Sequence, residues 1–259
     1  QRNSSGAERA GAQRQMTTTN EITGFHLPPG RVIGGKYVVD SFIGGGWEGE
    51  VYKVIERRTG IQRAAKLFFP QRNQRDRAVK FYATKLNRLR NCPIVIQYHH
   101  SEVLRFKKAN VTCLISEFVE GELLTQFLAR QPNQRLDTFQ ALHLLHALAL
   151  GLEQIHKVRE YHGDIHDENI LIERKGIDFD IKLVDFYHWG AASAAAIRED
   201  VIQLVRVLYD AVGGKEHYRN QPPELKAVCC GLRRDLISKR FPSARQLREY
   251  LETFTWTSQ

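Results

Sequence analysis

The chain has 259 residues, enough for one large domain or two small lobes around a substantial core. Its 42% hydrophobic and 26% charged residues describe an ordinary soluble globular protein, and no apolar run approaches the roughly 20 residues that span a bilayer. The formal charge of +9 would suit nucleic-acid, membrane or acidic partners. No basic motif with interleaved aromatics accompanies it, so nucleic acid is not expected; a solvated basic face or an acidic protein partner is.

Residues 1–15 are polar and cannot build a core, and Met16 is the only methionine. Met16 reads as a possible natural start and the stretch before it as a tag, propeptide or disordered tail, while residues 1–35 as a whole read as a leader, partly disordered or tag-derived. Segments 36–43, 50–56 and 61–69 are rich in Val, Ile, Phe and Tyr and predict three antiparallel strands, with Arg57-Arg58-Thr59-Gly60 as a hairpin turn. From Arg75 to Arg90 the apolar positions Ala78, Val79, Tyr82, Leu86 and Leu89 recur at helical spacing. Two more strands are predicted at 94–99 and 111–118. The second half is mainly helical, with patterns at 139–155, 197–212, 223–230 and 243–253 and short strands at 170–172 and 181–184. Cys92, Cys113, Cys229 and Cys230 form no CxxC pair, so reduced thiols in a cytoplasmic protein are expected.

Three motifs carry chemistry. Ile43-Gly44-Gly45-Gly46-Trp47-Glu48-Gly49-Glu50-Val51 fits G-x-G-x-x-G-x-V, in which Gly44, Gly46 and Gly49 let backbone approach phosphate without a Cβ in the way. Glycines also mark plain flexible hairpins. Fifteen residues past Val51, Lys66 stands within Ala64-Ala65-Lys66-Leu67-Phe68, where an ammonium is costly to bury without a role. It either meets phosphate or snorkels from a strand end. Residues 162–169 read His-Gly-Asp-Ile-His-Asp-Glu-Asn, and Leu183-Val184-Asp185-Phe186-Tyr187 follows. Asp164 suits a base that takes a hydroxyl proton, while Asn169 and Asp185 offer hard oxygen ligands to Mg²⁺. Ordinary turn carboxylates are the alternative. His166, Asp167 and Glu168 read as loop solvation.

Taken in order, these motifs resemble a eukaryotic-type protein kinase domain, in a short and irregular version, over about residues 36–253. The resemblance implies an α+β, two-lobed kinase-like fold. Residues 36–119 would form a small N-lobe of five antiparallel strands plus one helix, and 120–259 a mainly helical C-lobe. It implies ATP and Mg²⁺ as cofactors. Ile43, Gly44, Gly46, Gly49, Val51 and Ala64 would hold the nucleotide, with Lys66 on its phosphates. Ser116 would be the gatekeeper, with the main chains of Glu117 and Val119 on adenine. Asp164 would be the catalytic base, with Asn169 and Asp185 on the metal. His162 and Phe186 would pack beneath the site, Asp200 would brace the catalytic loop, and Arg240 would open the last helix. The implied activity is phosphoryl transfer to a Ser or Thr hydroxyl of a protein, either this chain itself or a dedicated partner.

The pattern also breaks. The helix at 75–90 lacks the Glu that pairs with the strand lysine in kinases; Tyr82 or a neighbour stands there, and Asp76 is the only acid between Lys66 and Glu102. Lys66 must therefore pair with Asp76, Glu48 or Asp185, or work unpaired. Gly163 replaces the usual catalytic-loop arginine, and about ten residues stand where an activation segment of roughly 20–30 is expected. Both point to a site not switched by activation-loop phosphorylation and without the usual peptide-docking platform. His-Gly-Asp also occurs in aminoglycoside and choline phosphotransferases. A pseudokinase or nucleotide-binding interaction module, and a small-molecule phosphotransferase, thus stand beside the protein kinase reading. Arg72, Arg75 and Arg77 are candidates for recruiting an acidic partner.

Overall fold

The computed structural model describes residues 21–176, 178–186 and 190–255. The expectations for residues 1–15, Met16 and Tyr187 fall outside this range. The first lobe is a six-stranded antiparallel sheet in the order β1-β2-β3-β4-β6-β5. Its strands are β1 (Val32–Ile33), β2 (Tyr37–Gly45), β3 (Gly49–Glu56), β4 (Gln62–Phe68), β5 (Tyr98–Phe106) and β6 (Ala109–Glu117), with helix α1 (Arg77–Arg88) crossing between β4 and β5. Alternation decides the faces. On β4, Ala65 and Leu67 are buried on one side while Ala64 and Lys66 look to the other, toward the C-lobe.

The sheet has one strand more than expected, because part of the anticipated leader belongs to it. β1 pairs with β2, and Ile22, Phe25 and Leu27 are buried in the same core as Tyr52, Val54 and Leu67. Glu50, itself buried, accepts hydrogen bonds from the Phe25 and His26 N–H groups at 3.0 and 3.3 Å and from the Tyr52 hydroxyl. Burial and that bond push the Tyr52 phenol up to about 12.

The strand expected at 94–99 is displaced. Ile94 and Val95 leave the sheet and join the C-lobe core. A methyl on Gly151 would meet Ile94 Cδ1 at 2.3 Å, so the helix carrying Gly151 needs a glycine there. The Leu183 N–H donates to the Ile94 carbonyl at 2.7 Å. This crossing segment joins the lobes, and β5 begins only at Tyr98. Apolar content alone could not separate an interlobe tether from a strand.

The C-lobe contains β7 (Glu122–Leu123), α2 (Leu124–Ala129), α3 (Thr138–Lys157), β8 (Ile170–Lys175), β9 (Asp178–Leu183), α4 (Ala194–Ala211), α5 (Gly214–Tyr218), α6 (Pro223–Cys229), α7 (Arg234–Arg240) and α8 (Ala244–Thr253). β7, β8 and β9 form a small antiparallel sheet. Side-chain caps set the long helices: Asp137 accepts from Gln140 N at 2.8 Å, Ser193 from Ala196 N at 3.1 Å and Ser243 from Gln246 N at 3.3 Å. Helix α3 is buried along most of its length, as its near-continuous Leu and Ala content predicts. All four cysteines are free thiols. Among the described residues no helix is long and apolar enough to cross a membrane.

Candidate functional site

The glycine-rich segment forms the turn between β2 and β3, and its register ties it to Lys66. Gly44 pairs with Val51, and Val51 pairs with Lys66. Val51, Ala64 and Lys66 therefore share the cleft face, with Ser116 opposite Ala64 on β6. Ile43 is half exposed above them. Of the three motif glycines, Gly49 is required by the fold itself: a Cβ there would lie 1.9 Å from the Leu67 carbonyl oxygen. Gly44 and Gly46 face open space. Gly49→Ala is accordingly expected to destabilise the protein by about 2–3 kcal/mol through forced backbone movement. Gly44→Ala should melt within a degree or two of wild type; equal melting temperatures for the two variants would contradict this contrast.

At the lobe junction Ser116 is buried. The Glu117 N–H is taken by the Gln97 carbonyl at 2.9 Å, and its carboxylate meets Lys182 Nζ at 2.7 Å. The Val119 N–H has no described partner and is open to a ligand.

Lys66 Nζ lies 2.6 Å from Asp185 Oδ1 and 3.0 Å from Glu48 Oε2. Of the partners open to it from the sequence, two are used. Asp76 is not among them, because its carboxylate accepts from Thr112 Oγ1 at 2.6 Å and Asn73 Nδ2 at 3.1 Å. Burial alone would lower the Lys66 ammonium, but Asp185, Tyr82 and Glu48 together hold it above its ordinary value. Burial would likewise raise the Asp185 carboxyl, yet the adjacent Lys66 charge keeps it below the usual carboxylate range. Asp185 itself sits at φ 56°, a left-handed backbone that presents its carboxylate to the cleft.

The loop carrying Asp164 is held from below by α4. Asp200, fully buried, accepts from the Gly163 N–H at 2.7 Å and the His162 N–H at 2.8 Å, and lies 3.0 Å from His156 Nε2. One turn on, Gln203 accepts from Ile165 N at 2.8 Å and donates to the Gly163 carbonyl at 3.2 Å. Gly163 has φ 90°, a left-handed conformation that glycine adopts without strain. The Val184 N–H donates to the Asn169 carbonyl at 3.1 Å, which sets the Asp185 strand end beside Asn169. Asn169 Nδ2 donates to the Asp164 carbonyl at 2.9 Å and faces His166 Nε2 at 2.9 Å, leaving its amide oxygen for a cation.

Lys66, Asp185, Asn169 and Asp164 thus gather at one cleft through consecutive contacts. Among the described residues no three His, Cys, Asp or Glu side chains form a self-sufficient metal cage. The donor set present, one carboxylate and one amide oxygen, instead fits Mg²⁺ that keeps waters and phosphate oxygens in its shell.

Two further groups escaped the sequence reading. His166, assigned there to loop solvation, has Nε2 3.6 Å from Asp164 Oδ2 as well as its contact to Asn169. Its spacing two residues after Asp164 was the available signal. Gln203 had a signal too, since it is three residues past Asp200 on one helix face. Arg240, expected to open the last helix, instead ends α7, three residues before the Ser243 cap of α8, and donates to the Tyr250 hydroxyl at 2.9 Å. Of the three arginines considered for partner recruitment, Arg72 stacks its guanidinium 4.5 Å from the centre of the Trp47 ring, at the tip of the glycine-rich turn.

Beneath the site His162 packs on Phe186 with ring centres 4.4 Å apart. Nε2 donates to the Val184 carbonyl at 2.9 Å and Nδ1 accepts from Asp164 N at 3.2 Å, so both nitrogens are committed in the neutral form. Burial lowers its pKa to about 4. The unfolded chain takes up this proton near pH 6.5 and the folded chain does not. Stability therefore falls as pH drops from roughly 6.5 toward about 4, by up to roughly 3 kcal/mol from this residue. Nitrogen NMR is expected to show His162 neutral and protonated on Nε2 at pH 5; an imidazolium there would disprove the assignment.

A family model for the protein kinase domain matches residues 37–222. The serine/threonine-protein kinase pakA of Dictyostelium discoideum is 30% identical over 169 residues, which are 64% of this chain and 13% of that protein. The titin homolog of Caenorhabditis elegans is 30% identical over 156 residues, 58% of this chain and 1% of that one. The chain thus spans a small part of these relatives' length. The crystal structure of the Mycobacterium tuberculosis PknI kinase domain aligns with a TM-score of 0.60 at 22% identity, covering 87% of this chain and 98% of that chain.

Proposed function

From the premise that the chain belongs to the protein kinase domain family, we propose that it transfers the γ-phosphoryl group of Mg·ATP to a Ser or Thr hydroxyl of a protein. The observation that carries this reading is the direct contact of Lys66 with Asp185 across the lobes, beside the Asn169–Asp164 loop. Support for a hydroxyl acceptor comes from the likeness to the serine/threonine-protein kinase pakA.

Bound Mg·ATP supplies the activated phosphoryl group and a divalent charge that neutralises it in the transition state. The rest falls to side chains of this chain. Lys66 exchanges Asp185 for phosphate oxygens, for which a compact ammonium is suited. Asp185 and the Asn169 amide oxygen hold the metal. Asp164, half exposed at the mouth of the cleft, orients the acceptor hydroxyl and takes its proton late in the transfer. Val51 and Ala64 floor the adenine site, and the Val119 N–H with the Glu117 carbonyl reads the base edge.

The seven residues 187–193 between Phe186 and α4 are too few for a long activation segment. Activity is therefore proposed to be independent of phosphorylation there, with autophosphorylation or a dedicated partner as the outlet. Incubation with γ-labelled ATP and Mg²⁺ tests this reading. Wild type is expected to label itself or a supplied protein, and Asp164→Asn to lose at least about 100-fold. ATP binding without transfer would make the chain a nucleotide-binding module, and labelling unchanged in Asp164→Asn would remove the proposed base.

A further inference from the structure

Helix α1 brings no carboxylate to Lys66; it brings Tyr82. The Tyr82 hydroxyl donates to Glu48 Oε2 at 2.8 Å, the same oxygen that lies 3.0 Å from Lys66 Nζ. Lys66 Nζ also stands 4.6 Å over the centre of the Tyr82 ring. Tyr82 is buried, and the Glu48 side chain is only 13% exposed, so this contact is shielded from solvent screening. The main chain anchors Glu48 as firmly: Phe69 N donates to the Glu48 carbonyl at 2.8 Å, and Gly49 lies flat against Leu67. Glu48 is thus tied to the very strand that carries Lys66.

We propose that Glu48 is the positioning residue for Lys66, aimed by the Tyr82 hydroxyl, so that the glycine-rich turn and not a carboxylate on α1 orients the phosphate-binding ammonium. This rests on the reading of Lys66 as a phosphate contact. The physical consequence concerns control. A helix that contributes a neutral hydroxyl loses one hydrogen bond when it moves, whereas a helix that contributes the carboxylate loses the ion pair. Lys66 here stays paired through β3 and β4 whatever α1 does. A nucleotide that displaces Asp185 from Lys66 leaves the Glu48 contact in place, since Glu48 approaches from the turn above the phosphates and Asp185 from the opposite lobe.

The test is calorimetric binding of Mg·ATP to the full chain, with steady-state kinetics alongside, in wild type, Lys66→Ala, Glu48→Gln, Glu48→Ala, Tyr82→Phe and the double variant Glu48→Ala with Tyr82→Glu. Melting curves without nucleotide establish that each is folded. Glu48→Gln is expected to weaken ATP binding about tenfold and to raise KM for ATP more than it lowers kcat, and Tyr82→Phe to act in the same direction by about threefold. The double variant returns a carboxylate from the helix, where the ring now lies under Nζ, and is expected to bind ATP better than Glu48→Ala alone. Lys66→Ala weakening ATP binding while Glu48→Gln matches wild type would overturn this inference and leave the site reading intact. Wild type failing to bind ATP, or binding unchanged in Lys66→Ala, would instead remove the site reading and the inference with it. A folded double variant no better than Glu48→Ala would overturn the assignment of Tyr82.

Discussion

Asp200→Ala is expected to lower stability by about 3–5 kcal/mol and to abolish phosphoryl transfer, the largest combined loss of any single substitution in the cleft. The carboxylate is fully buried and serves three polar groups at once: the His162 and Gly163 N–H groups and His156 Nε2. Its removal strands two backbone donors in the core and a histidine whose Nδ1 already lacks a partner. Gln203 supplies two bonds, but it holds Ile165 and the Gly163 carbonyl and cannot reach the His162 N–H that it does not contact. A displacement of about 1 Å in Asp164 suffices to cost roughly 100-fold in rate. Denaturant melts and hydrogen exchange at residues 162–165 measure the two effects separately. Asp200→Asn retains one acceptor oxygen and is expected to fall between. An alanine variant with wild-type stability and protection would show that α4 does not brace this loop.

Asp185→Asn is the second. The substitution preserves shape and removes charge, so the fold is expected to survive with a small loss, while transfer falls by about 1000-fold. Two functions fail together. A neutral amide is a poorer ligand for Mg²⁺, and Lys66 loses its 2.6 Å partner from the other lobe. Because the Lys66 charge holds the Asp185 carboxyl below its ordinary range, despite burial that acts the other way, the pair contributes stability that is present above the unfolded carboxyl pKa. That contribution is lost as pH falls through the folded pKa. In the asparagine variant the acid limb of the stability profile should lose this component. Transfer at the wild-type rate in Asp185→Asn would exclude it as a metal ligand.

The departures from the family pattern belong together physically. Gly163 occupies a left-handed backbone conformation, the segment after Phe186 is short, and Arg240 at the end of α7 is spent on Tyr250. Each removes a partner that another part of a phosphorylation-switched kinase would need. The proposed pairing of Lys66 follows the same logic, since its carboxylate comes from the glycine-rich turn and not from helix α1.

Much of this was legible from residue order alone. The glycine-rich turn, Lys66, Asp164, Asn169 and Asp185 are marked by local spacing, because each sits in a short segment whose backbone must take one shape. The cost of an ammonium among apolar neighbours singled out Lys66, and helical periodicity located α1, α3, α4 and α8 to within a few residues. What residue order could not decide lies across long separations. Ile94 and Val95 have strand-like composition, yet Gly151 and Leu183 draw them into the other lobe. Glu48 and Tyr82 are 34 positions apart and meet over a lysine 18 positions from one of them. Ile22, Phe25 and Leu27 gain a place through distant partners: Glu50 accepts from the Phe25 and His26 N–H groups, the Tyr52 hydroxyl from the Leu27 N–H, and the Ile22 carbonyl from Gln71 Nε2. In each case the pattern states what a residue needs, burial or a counter-charge, and only the assembled chain determines which distant group meets that need.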